Sequence, residues 1–168
     1  MTSDDLITTQ QQVFDLFDYK DGNLYWRINP RKIGQEIKPG SLAGTLACGG
    51  KYIAVQYKRK RYLAHRLIFL YHHGWIPEQI DHIDTIPSNN KIENLRAATP
   101  TQNQYNRPAQ KNNLLGIKNI YKGKTSYSVT FTIEGQVKRL GSFRTLEEAK
   151  EVARKFRVEH HGEFARHD

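Results

Sequence analysis

Apolar and polar residues alternate strictly between positions 126 and 133 of this chain. Serine and threonine occupy one side of the pattern, and the other side holds Tyr127, Val129, Phe131 and Ile133. A period of two predicts a strand with one buried face and one polar face. Flanking strands are predicted at 116–121 and 136–140, with Glu134 and Gly135 in the turn between the second and third strands.

A helical period follows this predicted sheet. Thr145 and Glu148 have the spacing of a capping box, so a helix should start there and run to about residue 161. Its buried stripe is expected to contain Leu146, Ala149, Val152, Ala153, Phe156 and His160. This stripe should cover the apolar face of the sheet. Residues 115–168 are therefore predicted to form a small three-stranded antiparallel sheet packed on one helix, after a polar linker at 109–114.

The N-terminal part of the chain mixes short helical and strand patterns. The predicted elements are, in order, a helix capped by Thr8 or Thr9 and ending near Tyr19, a strand at 24–27, a hairpin of strands 52–57 and 62–64, and a mostly buried helix from residue 65 to Gly74. The whole chain is thus predicted to be α+β, with a first domain at residues 1–108.

The stretch that ends at Arg107 has the highest density of polar, chemically capable side chains. Asp81 and His82 follow an apolar residue, as if they ended a short strand. A capping box with proline at the first helical position predicts a helix that starts at Pro100. Asn103 then lies on the first turn, and Arg107 follows four residues later on the same face.

Composition indicates the class of partner. The chain has 168 residues, a net charge of +9 and a pI of about 9.7, which favours a polyanion such as nucleic acid. One cysteine, Cys48, excludes internal disulfides and a cysteine-rich zinc site. The sequence has no apolar run of about 18 residues and does not begin like a signal peptide, so a soluble, cytoplasmic protein without a membrane partner is expected.

The polar residues of the stretch at 80–107 suit metal-assisted phosphodiester hydrolysis. Mg²⁺ takes one or two oxygen ligands from protein, and Asp81 and Asn103 can supply them. Histidine is the residue type that most often serves as a general base, so His82 can act on the attacking water, and Asn94 can hold the imidazole ring or the loop in register. A calcium-binding loop is excluded, since isoleucines stand where such a loop needs an acid, a glycine and a glutamate.

The pattern DHIDxxxxNNKIENLRxxTxxQNxxN resembles the HNH endonucleases, and in particular the phage and intron-borne HNH homing endonucleases. The resemblance covers roughly residues 10–108, and its motif core lies at 80–107. It implies a ββα-metal nuclease region in which Asp81 and Asn103 bind the metal, His82 is the general base and Asn94 is the central asparagine. Asn103 replaces the final histidine of the family name, which favours Mg²⁺ or Mn²⁺ over zinc. A phage origin would place the protein in the cytoplasm of a bacterial host cell.

Basic residues are expected to contact DNA phosphates. A run of four cations at 58–61 lies at the predicted hairpin tip, and further cations lie on the polar face and turns of the C-terminal sheet. The segment GIKNIYKGKTSYSVTFTIEGQVKRLGSFRTLEEAKEVARKF is similar to the APETALA2/ethylene-response-factor DNA-binding domain. The predicted DNA-binding residues are Arg59, Lys60, Arg61, Arg107, Lys118, Lys122, Lys124, Lys138 and Arg139.

These observations predict a metal-dependent DNA endonuclease of phage type, a site-directed nicking or homing enzyme that acts on double-stranded DNA as a monomer. The alternative is a repressor or architectural DNA-binding protein with an inactive HNH motif. An RNA-binding module is the third hypothesis, although no ribonucleoprotein motif supports it. Removal of residues 110–168 is expected to weaken site choice while weak metal-dependent nicking survives.

Overall fold

The computed structural model describes residues 7–30, 36–109, 113–133 and 135–166. The chain divides into two compact units, Met1–Pro100 and Thr101–Asp168. Both units combine helices with small antiparallel sheets, which confirms the mixed α and β class. No helix among the described residues is long and apolar enough to cross a membrane. Of the predicted linker, residues 110–112 lie outside the described residues.

The first unit begins with helix α1 (Gln10–Leu16), which Thr9 caps through a capping box with Gln12. Strands β1 (Phe17–Lys20) and β2 (Asn23–Trp26) follow as an antiparallel hairpin, which β3 (Leu42–Ala43) extends. The prediction that the first helix ends near Tyr19 was wrong. The helix stops at Leu16 because the next residues pair with β2 in the sheet.

A second hairpin precedes the main helix of this unit. It contains β4 (Thr45–Ala47), β5 (Tyr52–Tyr57) and β6 (Lys60–Leu63). Its turn is Lys58-Arg59, and both residues have positive φ, as a two-residue hairpin turn requires. Lys60 and Arg61 therefore lie in β6 rather than at the tip. Helix α2 (Ala64–His73) buries Leu67, Ile68, Phe69 and Leu70 in the core and ends at the left-handed Gly74.

Two short strands carry the polar stretch. Strand β7 (Gln79–His82) pairs antiparallel with β8 (Leu95–Ala98), and a single 3-10 turn at Ile92–Asn94 precedes β8. The register sets Asp81 opposite Arg96 and His82 opposite Leu95. The strands are joined by a loop at 83–91, and the functional side chains cluster around this loop.

Helix α3 (Pro100–Asn106) lies in the second unit, except for its first residue, Pro100, which belongs to the first unit. Its sheet consists of β9 (Ile120–Lys122), β10 (Tyr127–Ile133) and β11 (Gln136–Phe143), with β10 in the centre. Helix α4 (Leu146–His161) starts at the predicted Thr145–Glu148 capping box. The core contains Ile120, Val129, Phe131, Ala149, Ala153 and Phe156.

The predicted alternation of β10 is confirmed, since Val129 and Phe131 are buried against α4. The stripe of α4 differs from the prediction at several positions, because Arg157 and His161 are also buried and Leu146 and Val152 are only partly buried. His161 is buried and His160 is exposed, because the helix turns its last residue toward the sheet, where His161 lies edge-on to Phe131 with ring centroids 5.8 Å apart.

Candidate active site

His82 lies at the end of β7 and is buried. Its Nε2 is 3.0 Å from the side-chain oxygen of Asn90, which is itself only 1% exposed. An amide oxygen can only accept a hydrogen bond, so in the neutral imidazole Nε2 carries the proton and Nδ1 carries the lone pair. The contact therefore selects the tautomer whose Nδ1 can act as a base. Asn90 was not among the site residues predicted from the sequence.

Asn94 holds the loop rather than the imidazole. Its amide nitrogen donates to Asp84 Oδ1 at 2.9 Å and to the Asn89 carbonyl at 2.8 Å, and its oxygen accepts from Asp84 N at 3.0 Å. Burial acts to raise the pKa of Asp84, but hydrogen bonds from Ile86 N, Asn89 and Asn94 outweigh it and lower that pKa. An ionised Asp84 thus gathers the amides of a rigid loop beside His82.

The β1–β2 hairpin supports the other end of this loop. Tyr19 Oη accepts a hydrogen bond from Ile92 N at 3.0 Å. Gly22, in the hairpin turn, packs so closely that a β-carbon there would lie 2.8 Å from Lys91 N and 3.1 Å from the carbonyl carbon of Asn90. The position of Asn90, and through it that of His82, therefore depends on the absence of a side chain at Gly22.

Gly22→Ala is expected to destabilise the protein by about 1–3 kcal/mol more than Gly49→Ala. Both glycines have positive φ, +82° and +70°, but a β-carbon at Gly49 would meet nothing within 4 Å. The comparison therefore isolates the clash with the loop from the backbone strain. Urea unfolding of both variants measures the difference, and equal losses of stability would contradict the close packing.

The ring of His65, on the first turn of α2, packs against the ring of His82. The two rings meet edge to face with centroids 5.2 Å apart, and Tyr52 lies 5.6 Å from His65. Burial, followed by the charges of His82 and Arg66, lowers the pKa of His65 to about 3. His65 is therefore neutral at physiological pH and adds no positive charge beside His82.

Asp81 is held by Arg96 across the β7–β8 pair. Arg96 Nε and Nη2 donate to the same oxygen, Asp81 Oδ2, at 2.8 and 2.7 Å. Both side chains are largely buried. The paired guanidinium fixes the direction of the carboxylate, as charge-assisted contacts of this kind do. Arg96 was also absent from the residues that the sequence singled out.

Asn103 lies on α3, in the second unit, whereas Asp81, His82 and Asn94 lie in the first. No group of three or more His, Cys, Asp or Glu side chains among the described residues could hold a metal ion. A hard cation such as Mg²⁺ does not require such a group, because it takes one or two oxygen ligands from protein. The oriented carboxylate of Asp81 fits that requirement in chemistry.

The basic residues predicted to contact DNA differ in environment. Arg59 and Arg61 are exposed on the β5–β6 hairpin, and Lys60 is partly buried. Arg107, at the end of α3, is exposed, as are Lys122 and Lys124 in the second unit. The described structure therefore leaves most of these cations at the protein surface.

Lys138 and Arg139 are neighbours in β11 but lie on opposite faces of the sheet, and only Arg139 lies on the polar face as predicted. Lys138 is directly opposite Phe131 in the register, and its Nζ lies 5.2 Å from the ring of Phe156 on α4. It therefore belongs to the face that α4 covers. Arg139, opposite Thr130, lies on the open face and donates to Ser142 Oγ at 2.6 Å.

The ammonium group of Lys118 is bound within the protein. Its ammonium donates hydrogen bonds to the carbonyl oxygens of Gln104, Tyr105 and Arg107 at 2.7, 2.9 and 2.7 Å. The three donors of an ammonium group are thus directed at the C-terminus of α3. The charged groups of Lys118 and Lys138 are therefore both engaged within the second unit.

Comparison with known proteins identifies the family. A sequence model of the HNH endonucleases matches residues 62–105. Protein 3.8 of Escherichia phage T7 is 38% identical over 97 residues, which cover 55% of this chain and 79% of that protein. The uncharacterized HNH endonuclease L560 of Acanthamoeba polyphaga mimivirus is 33% identical over 114 residues, 66% of this chain and 59% of that protein. No solved structure matches the chain. This chain therefore contains an HNH endonuclease domain, which lies at residues 62–105.

Proposed function

We propose that this protein is a metal-dependent DNA endonuclease that nicks double-stranded DNA as a monomer, in a site-directed or homing role of phage type. The observation that carries the proposal is the buried contact between His82 and Asn90, which selects the imidazole tautomer with a lone pair on Nδ1. A general base needs that lone pair and a fixed direction. The HNH family match supplies the class of reaction.

Each side chain has one role in this proposal. His82 Nδ1 takes the proton from the attacking water, and Asn94 keeps the loop beside it rigid through Asp84. Asp81, oriented by Arg96, and Asn103 would hold Mg²⁺ or Mn²⁺. The bound ion would stabilise the charge on the phosphate and on the leaving oxygen.

The DNA contacts fall into two groups in this proposal. The β5–β6 hairpin contacts phosphates through Arg59, Lys60 and Arg61. The C-terminal unit, similar in sequence to the APETALA2 domain, contributes Arg107, Lys122, Lys124 and Arg139. Phosphate contacts supply affinity, whereas the open face of the sheet supplies base recognition. That face carries Tyr121, Thr130 and Thr132 beside Arg139, next to a cavity of about 590 Å³.

The experiment that tests the function is cleavage of supercoiled plasmid by the purified protein with Mg²⁺, with Mn²⁺ and with chelator. Conversion to nicked circles that depends on the metal is expected. A mobility shift of the same DNA without any cleavage would contradict the proposal and would support the DNA-binding alternative. Competition between duplex DNA and RNA in the binding assay separates the two kinds of nucleic acid.

Arg59→Gln is expected to weaken binding to all duplex sequences alike and to reduce the slope of log affinity against log salt by about 1. Arg59 is exposed in the hairpin turn, where a phosphate can replace its counterion. Lys150→Gln is the matched control, because Lys150 is exposed on α4, outside the proposed contacts. Titrations at several salt concentrations measure both slopes. Identical slopes for the two variants would remove the hairpin from the interface.

A further inference from the structure

The C-terminus of α3 is held by a side chain of the second unit. Carbonyl groups at the end of a helix lack partners within the helix and carry partial negative charge. Lys118 supplies a full positive charge and three hydrogen bonds to the carbonyls of Gln104, Tyr105 and Arg107. Such charge-assisted contacts are stronger than neutral ones. A helix of only two turns has few other sources of stability.

Further contacts fix the same helix within the second unit. The ring of Tyr105 stacks on His161 of α4 with centroids 3.7 Å apart and planes 6° apart. Burial, followed by Lys118, Arg157 and His160, lowers the pKa of His161 to about 4, so the stacked ring is neutral. Arg166 donates to the Asn106 carbonyl at 3.3 Å.

Lys118 is itself fixed in place. Its carbonyl oxygen accepts a hydrogen bond from Arg157 of α4 at 3.1 Å. The segment that carries it is folded around Asn113, whose amide nitrogen donates to the carbonyls of Ile117 and Ile120 at 2.7 and 2.9 Å. The ammonium therefore reaches α3 from a rigid segment that is tied to both the sheet and α4.

We propose that Lys118 is a positioning residue for the nuclease reaction, because it anchors the helix that carries Asn103. This inference rests on the proposed function, in which Asn103 is a metal ligand. The C-terminal unit then has two roles. It recognises DNA, and it holds one part of the catalytic motif in place. This second role also reverses an expectation from the sequence, since a chain without residues 110–168 would lose the anchor and, with it, the nicking activity.

The test compares Lys118→Met and Lys118→Arg with Lys150→Met and Lys124→Met in the full-length protein. Lys150→Met removes an exposed charge of α4, and Lys124→Met removes a proposed phosphate contact. Amide hydrogen exchange of residues 104–107 reports the anchoring directly. Nicking rates as a function of Mg²⁺ and of DNA concentration separate metal binding from DNA binding.

Lys118→Met is expected to exchange these amides about tenfold faster than the wild type. It should also need more Mg²⁺ for half-maximal nicking, with the KM for DNA unchanged. Lys118→Arg, which keeps the charge, should restore much of both properties. Unchanged exchange together with a raised KM for DNA, as expected for Lys124→Met, would overturn the proposal and make Lys118 a phosphate contact. If the wild type does not nick DNA, the proposed function fails, whereas the exchange rates still decide whether Lys118 anchors α3.

Discussion

Replacement of His82 by alanine is expected to lower the rate of DNA hydrolysis by about 10²–10⁴-fold and to leave DNA affinity unchanged. The imidazole is the only group in the proposal that takes the proton from water. It carries no proposed phosphate contact, so binding should survive. Nicking of supercoiled plasmid under saturating DNA measures the loss, and a mobility shift measures the affinity.

His73→Ala is the matched control, because His73 is exposed on α2 and has no role in the proposal. Asn90→Ala should give an intermediate loss of rate, since it keeps the base but removes the acceptor that selects its tautomer. A His82→Ala protein that nicks at the wild-type rate would refute the assignment of the base. A loss of DNA binding in the same variant would instead show that the role of His82 is not confined to the proton transfer.

Local patterns in the sequence predicted local structure well. The N-terminal cap of α1 at Thr9, the capping box at Thr145 and the alternation of β10 all appear in the fold. These signals depend on residues a few positions apart, so a single sequence contains them. The end of α1 was misplaced because the β1–β2 ladder, and not the helical pattern, decides the conformation of Phe17 to Lys20.

The residues that support the site were harder to find. Asn90 looks like any asparagine of a loop, and its contact with His82 depends on a loop conformation that Asn94 and Gly22 impose from elsewhere in the chain. Arg96 becomes the partner of Asp81 only through the register of β7 and β8. The opposite charges of the two residues are compatible with this pairing, because opposite charges directly across an antiparallel strand pair stabilise it.

Composition could not predict on which face of the sheet each basic side chain lies. Lys118 and Lys138 have the same charge as Lys122 and Lys124, yet one lies against the end of α3 and the other against Phe156. The register between β10 and β11 shifts between Val129 and Thr130 of β10. This irregularity determines which basic side chains of β11 lie on the open face. A bulge of this kind leaves no clear signature in one sequence.

The second large effect is expected at the Asp81–Arg96 pair. Arg96→Leu should lower the free energy of unfolding by about 3 kcal/mol, because Asp81 would remain buried without the guanidinium that contacts it. Asp81→Leu combined with Arg96→Leu removes both charges and should regain most of that stability, since apolar pairs often replace buried ion pairs at little cost. Urea unfolding of the single and double variants measures both steps.

Arg96→Leu and the double variant also separate an effect on stability from an effect on catalysis. If Asp81 binds the metal, the double variant should be folded and bind DNA but should not nick it at any Mg²⁺ concentration. Arg96→Leu keeps the carboxylate but not its direction, so it should nick slowly and need more Mg²⁺. A double variant as unstable as the single one would show that Asp81 and Arg96 do not act as a buried pair. A double variant that nicks normally would exclude Asp81 as a ligand, because no carboxylate would remain at that position to bind the ion.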